Sequence, residues 1–149
     1  LITKEAKASD RVIVKVHWGT EYESSPNKEQ IKLGRLFVDW GADAVIGHHP
    51  HVIQGMEIYK DAPILWSLGN FIFDQGFSKE VSEGIAAGLV FDGSETSVHI
   101  FPYEIIDEQP KLATSTRQDM LSNFLDLSLP HGSLPLDLER GIVTIVSNK

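Results

Sequence analysis

The chain of 149 residues, 42% hydrophobic and 9% aromatic, is long enough for one domain with a substantial core and too apolar for a disordered segment. Its formal net charge of −8 comes without a cluster of Lys and Arg, which argues against nucleic acid and an anionic membrane surface as partners. Zero cysteines exclude a disulfide framework, a thiolate metal site and a cysteine nucleophile.

No apolar run approaches the ~20 residues of a membrane span. The opening "LITKEAKASD" lacks the basic region and apolar stretch of a signal peptide. Residues 1–75 hold 8 basic and 10 acidic side chains, and residues 76–149 hold 5 and 11, so the first half repels an anionic ligand less.

In chain order, "RVIVKVH" (11–17) is rich in β-branched residues and predicts a strand covered on both faces. A helix follows from about Pro26 or Asn27 to Trp40, capped by Ser25 or by Asn27 with Gln30, and stopped by Gly41. Its spacing puts Leu33, Leu36, Phe37 and Trp40 on one face. "ADAVIGHH" returns as a strand, so the first 50 residues spell strand, helix, strand, which favours a parallel pair. "GMEIY" and "PILWSLGNFIF" flank a Lys60-Asp61 turn, and "EGIAAGLVFDG" and "TSVHIFPYEI" flank a turn at 92–95, so two antiparallel hairpins are expected. "STRQDMLSNFLDLS", with Ser115 or Thr116 as cap, predicts a helix; "LPHGSLPLD" (129–137) reads as a loop and "RGIVTIV" as a closing strand. The expected class is α/β with mixed sheets.

Three histidines in four positions, His48, His49 and His51, carry the strongest chemical signal. In an extended backbone His49 and His51 fall on one side, and Pro50 favours that geometry by fixing its own φ and biasing His49. Two imidazoles so placed can meet one cation, although a histidine-rich solvated loop explains the tripeptide equally well. By the same alternation His48 falls on the other side, where it would support the ligands or the fold by a hydrogen bond.

His17, in "HWGTEY", ends the first strand as the histidine cluster ends the second. Loops beyond the carboxyl ends of parallel strands form the crevice where ligands bind, so these side chains are placed to converge. Glu21 is either a general acid or base, an acceptor for a histidine N–H, or a solvated loop glutamate beside Glu23. Gly69-Asn70 is a turn signal, and Asn70 is also placed to orient a ligand or donate to a phosphate, with Asp74 near the same edge. Trp18 reads as packing, and His99 and His131 as structural or solvated. There is no Walker-type glycine loop and no Gly-x-Ser-x-Gly elbow.

"VHWGTEY", "GADAVIGHHPHVIQGMEIY" and "SLGNFIFDQ", in this order and spacing, resemble the C-terminal part of the bacterial capsule synthesis CapA family, associated with poly-γ-glutamate. The likeness covers roughly residues 10 to 105. It implies a calcineurin-like metallophosphoesterase fold, with two mixed sheets packed between outer helices and a two-metal site at one edge. By motif position His17, His49 and His51 match the family's histidine ligands for a divalent ion (Mn, Zn or Fe), leaving Glu21, His48 and Asn70 as candidate catalytic groups. The resemblance further implies an extracytoplasmic or cell-surface location and an anionic polymer or phosphoester as substrate. The sequence has no Asp-x-His, Gly-Asp or Asn-His motif, so residues 1–149 are expected to be one domain corresponding to the C-terminal portion of the family's. A separate N-terminal half, or self-association through an open strand edge, would complete it. A binding module for an anionic polymer, without turnover, is the alternative.

Overall fold

A computed structural model describes residues 1–147. A single helical turn, α1 (Ile2–Glu5), precedes β1 (Ile13–His17), α2 (Lys28–Asp39) and β2 (Ala44–His48). β1 and β2 are parallel, with His17 in register with His48. α2 starts where the sequence places a capping box: Gln30 N donates to Asn27 Oδ1, and Asn27 N donates to Gln30 Oε1. It ends in a Schellman motif, Ala42 N to Phe37 O and Gly41 N to Val38 O, with Gly41 at φ +104°.

The helix buries a different stripe from the expected one. Gln30, Gly34 and Val38 face the sheet, Leu33, Leu36 and Phe37 are half-buried, and Trp40 is exposed at the C-cap. The reason is steric: a Cβ on Gly34 would stand 2.7 Å from the Trp66 ring and 3.1 Å from that of Trp18. The two indoles fill the space between helix and sheet, and only a glycine lets the helix approach them.

β3 (Met56–Tyr59) and β4 (Ala62–Leu65) form the expected hairpin, turning through Lys60 and Asp61, both at positive φ. β4 also lies parallel to β2, so the first sheet is mixed, in the order β1-β2-β4-β3. β4 ends at Leu65, short of the predicted Phe73. Beyond it the backbone still pairs loosely with residues 53–55, Trp66 N donating to Gly55 O and Gln54 N to Ser67 O, while the Trp66 indole turns towards α2 and Gly69, at φ +79°, bridges to Gly84.

A 3₁₀ turn at Glu80–Ser82 opens the second sheet, which is antiparallel throughout. It contains the long hairpin of β5 (Glu83–Asp92) and β6 (Glu95–Ile106), then β7 (Gln109–Leu112), β8 (Leu136–Asp137) and β9 (Ile142–Val146). The order is β5-β6-β9-β8, with β7 also on β6. β7 and β8 were not expected. β7 follows a turn at Asp107 and Glu108, both at positive φ without a glycine, and β8 is two residues inside the segment read as a loop. α3 (Arg117–Asp126) has Thr116 at its N-cap position, without a side-chain capping bond.

One core lies between the sheets, where Met56 and Leu65 meet Ile85, Val98, Ile100 and Val143, and Met120, Leu121 and Phe124 of α3 join them. The other lies between α2 and the first sheet, around Trp18, Val45, Ile64 and Trp66. The result is an α/β sandwich whose first sheet is mixed. Among the described residues β1 pairs only with β2, so its outer edge is open, and β1 is not covered on both faces as expected: Ile13, Lys15 and His17, which share one face, are exposed, and Val14 and Val16 on the other are half-buried.

Candidate metal centre

β1, β2 and β4 run parallel, so the segments that follow them, 18–25, 49–55 and 66–75, gather at one edge of the first sheet. Trp18, directly after β1, is buried, and its indole N–H donates to Trp66 O across β2. Gly47 permits that crossing, because a Cβ there would stand 2.1 Å from Trp66 O and 2.4 Å from Trp18 Nε1. The three strand ends are thereby locked together beneath the histidines.

His49 and His51 do not lie in extended backbone. Their φ values are +104° and +63°, in the left-handed region where non-glycine residues are uncommon and histidine is among the better tolerated. Tyr22 N donates to Pro50 O at 2.8 Å, which fastens the segment after β1 to the turn. The imidazoles still meet, with ring centroids 4.6 Å apart for His17 and His49 and 5.8 Å apart for His49 and His51. One ligand atom each from Glu21, His49 and His51 lie within 4.8 Å of one another. Backbone strain of this kind concentrates at functional sites, where the surrounding structure enforces it.

This donor set fits one divalent cation: two imidazole nitrogens and a carboxylate oxygen suit Zn, Mn or Fe, and Glu21 is exposed and able to close on an ion. The His17 ring packs beside that of His49, but His17 is not among the three residues whose donor atoms converge. Glu21 is the cluster's sole carboxylate among the described residues, and its place among the donors is the part the sequence left open.

Asn70 reaches the cluster from the segment after β4. Its Oδ1 is 2.8 Å from His51 Nδ1, its Nδ2 donates to Val81 O, and its main-chain oxygen accepts from the Tyr103 hydroxyl. His48 shares a side of the sheet with His17, and its Nε2 is enclosed without a hydrogen-bond partner. Burial above all, with the charges of Lys15 and His17, holds its pKa below the ordinary histidine value and favours the neutral ring. Asp74 is exposed and outside the cluster. His99 bonds with Ser97 Oγ, and exposed His131 with Asp126 O, both away from the site.

The support missed in the sequence is a pair of buried amides. Gln30 Nε2 donates to Gln54 Oε1 at 2.8 Å, and Gln54 Nε2 donates to the carbonyls of Glu23 and Ser25. Gln54 thus holds the segment that carries Glu21 and Tyr22. Gln30 announces itself in the sequence only as a capping-box residue and Gln54 only as part of the histidine motif, and their pairing shows in their burial and shared hydrogen bond.

Fold and site define an α/β sandwich with a histidine-rich candidate metal centre where its parallel strands end. Residues 2–75, which include all three motifs, match the family of bacterial capsule synthesis proteins PGA_cap. The chain is 47% identical over 110 residues to the PGA biosynthesis protein CapA of Bacillus subtilis, covering 74% of this chain and 29% of that protein. It is 39% identical over 107 residues to the capsule biosynthesis protein CapA of Bacillus anthracis, covering 72% and 26% respectively. A probable polyglutamine synthesis accessory protein of Mycobacterium tuberculosis is 23% identical over 133 residues, 84% of this chain and 35% of that protein. The chain belongs to the CapA capsule-synthesis family, and it spans less than a third of the two Bacillus proteins.

Proposed function

We propose that this chain is part of a protein of bacterial capsule or poly-γ-glutamate synthesis at the cell surface, in which His49, His51 and Glu21, with His17 beside them, hold one divalent metal ion. The observation that carries the reading is the convergence of the Glu21, His49 and His51 donor atoms within 4.8 Å. The relatives' names support the polymer, and the strand-end crevice is where a fold of this kind binds ligands.

A bound ion of this type polarises a phosphoryl or carbonyl oxygen and lowers the pKa of water. The chain's own residues prepare the place: Asn70 sets the His51 ring, Tyr22 pins the Pro50 turn, and Gln54 holds the segment bearing Glu21. Two neighbouring cations need a bridging carboxylate besides ligands of their own, and among the described residues the cluster's one carboxylate, Glu21, is already one of only three converging donors. One ion per chain and little phosphodiesterase activity from this chain alone are therefore expected. Such an ion also suits a grip on a carboxylate polymer without turnover, which is the second reading.

The test is metal content per chain, by elemental analysis of protein purified without chelator, for the wild type and for His49→Ala/His51→Ala. About one ion per chain, lost in the variant, supports the site. Equal metal in both, or none in either, rules it out. Robust hydrolysis of a generic phosphodiester would overturn the single-ion reading.

A further inference from the structure

Next to the histidines lies a cavity of about 480 Å³ whose lining includes Tyr22, Phe77, Lys79, Val81, Glu83 and Leu127. Tyr22 is shared between the two places, its ring 5.9 Å from that of His51 and 5.3 Å, edge-on, from that of Phe77. The volume suits one or two residues of a chain whose remainder continues to the metal centre. Most of the wall is apolar or hydroxylic. Lys79, Glu80, Glu83 and Asn123 are the remainder, and of the charged three only Glu83, a carboxylate 8% exposed at the start of β5, is buried.

Burying a carboxylate is costly unless it is paired and hydrogen-bonded. Glu83 has an incomplete partner. Lys79 Nζ stands 3.3 Å from Glu83 Oε1, but that oxygen makes no hydrogen bond, and the Lys79 side chain is 70% exposed and free to swing away. Lys79 is the only basic side chain in the lining, set against Glu80 and Glu83. A ligand carboxylate would be repelled there, whereas an ammonium would complete the pairing that Lys79 leaves unfinished.

We infer that this cavity is a subsite for a primary ammonium group, held by Glu83, with Lys79 as an internal competitor, and that its occupant is the amino terminus of the polymer whose following residues reach the metal centre. The charge of the ligand follows from Glu83, and its identity rests on the polymer reading above. A free amine shares the chemistry, and the experiment separates the two.

The experiment follows backbone amide shifts around Phe77, Val81 and Leu127 by NMR during titration with a γ-linked glutamate pentamer, its N-acetylated form and putrescine. The free-amine pentamer is expected to bind, acetylation or Glu83→Gln to weaken it by on the order of tenfold, and Lys79→Met to tighten it several-fold. Metal content should be unchanged in Glu83→Gln, which separates this subsite from the histidine site. Equal binding of the acetylated pentamer, or no Glu83-dependent binding of either amine, overturns the inference while leaving metal content as an independent measure of the proposed centre. Glu83-dependent binding of putrescine alone upholds the ammonium site and overturns the polymer as its source. A Lys79→Met variant with weakened binding overturns the competitor role.

Discussion

His51 Nδ1 stands 2.8 Å from Asn70 Oδ1, and this contact decides which imidazole nitrogen is left for a cation. The Asn70 amide cannot be flipped, because its Nδ2 donates to Val81 O, which can only accept. Its oxygen therefore faces His51, the proton sits on Nδ1, and the Nε2 lone pair is free. Replacing Asn70 with Ala removes that orientation. Metal affinity is expected to fall by about 10–100-fold, with stability lower by ~1–3 kcal/mol for the unpaired Val81 carbonyl. Asn70→Asp keeps the acceptor and should retain more of the affinity. Metal titration of both variants checks this, and wild-type affinity in Asn70→Ala would reduce Asn70 to a purely structural residue.

Gly47 sits where the Trp18 indole crosses β2 to reach Trp66 O. A methyl group there would stand 2.1 Å from a main-chain oxygen, which cannot move aside as a flexible side chain would. Gly47→Ala is expected to destabilise the fold by ~3 kcal/mol or more. Urea unfolding measures it. A loss below about 1 kcal/mol would mean that β2 and β4 can shift apart more easily than their buried pairing suggests.

How far the sequence could be read follows from which interactions are local. The β1-α2-β2 unit, its Asn27 capping box and both turns of the expected hairpins depend on residues close in sequence, and they stand where expected. The gathering of His17, His49 and His51 also followed from strand order, since parallel strands end at one edge. What was not legible depends on distant partners. After β4 Trp66 packs against α2 and Gly69 meets β5, and the left-handed φ at His49 and His51 accompanies a bond from Tyr22. β7 turns through Asp107-Glu108, a pair with no glycine to announce positive φ. Glu21 reads equally as an acid or base, an acceptor for a histidine N–H or a solvated glutamate, and its convergence with His49 and His51 depends on a segment held by the distant Gln54.

Gln54 is fully buried and makes three hydrogen bonds, one from Gln30 and two to the carbonyls of Glu23 and Ser25. Gln54→Ala leaves Gln30 and both carbonyls without that partner. A loss of about 2–4 kcal/mol is expected, from the unpaired groups and the space left. Hydrogen exchange should speed up at residues 20–25 before the rest of the fold responds, and metal affinity should fall because Glu21 rides on the same segment. Unchanged exchange there would show that the Tyr22–Pro50 bond alone holds it.

Tyr103 donates its hydroxyl proton to the main-chain oxygen of Asn70 and closes against Gly84. Burial raises its pKa from 10.0 to about 12. The neutral phenol is therefore favoured in the folded state, while the unfolded chain ionises near the ordinary value. The resulting stability is fully present below pH 10 and is lost as pH rises towards about 12, because the unfolded state releases its proton first. Two pH units correspond to a loss of about 2–3 kcal/mol. Tyr103→Phe removes both the proton and the hydrogen bond, so it should start ~1 kcal/mol less stable near neutral pH and show a flatter alkaline decline. Denaturant unfolding across that range, with tyrosinate absorbance followed in parallel, measures both. Parallel alkaline slopes for the two proteins would show that Tyr103 ionises in the fold as readily as in the unfolded chain, and that its burial does not hold the Asn70 segment in place.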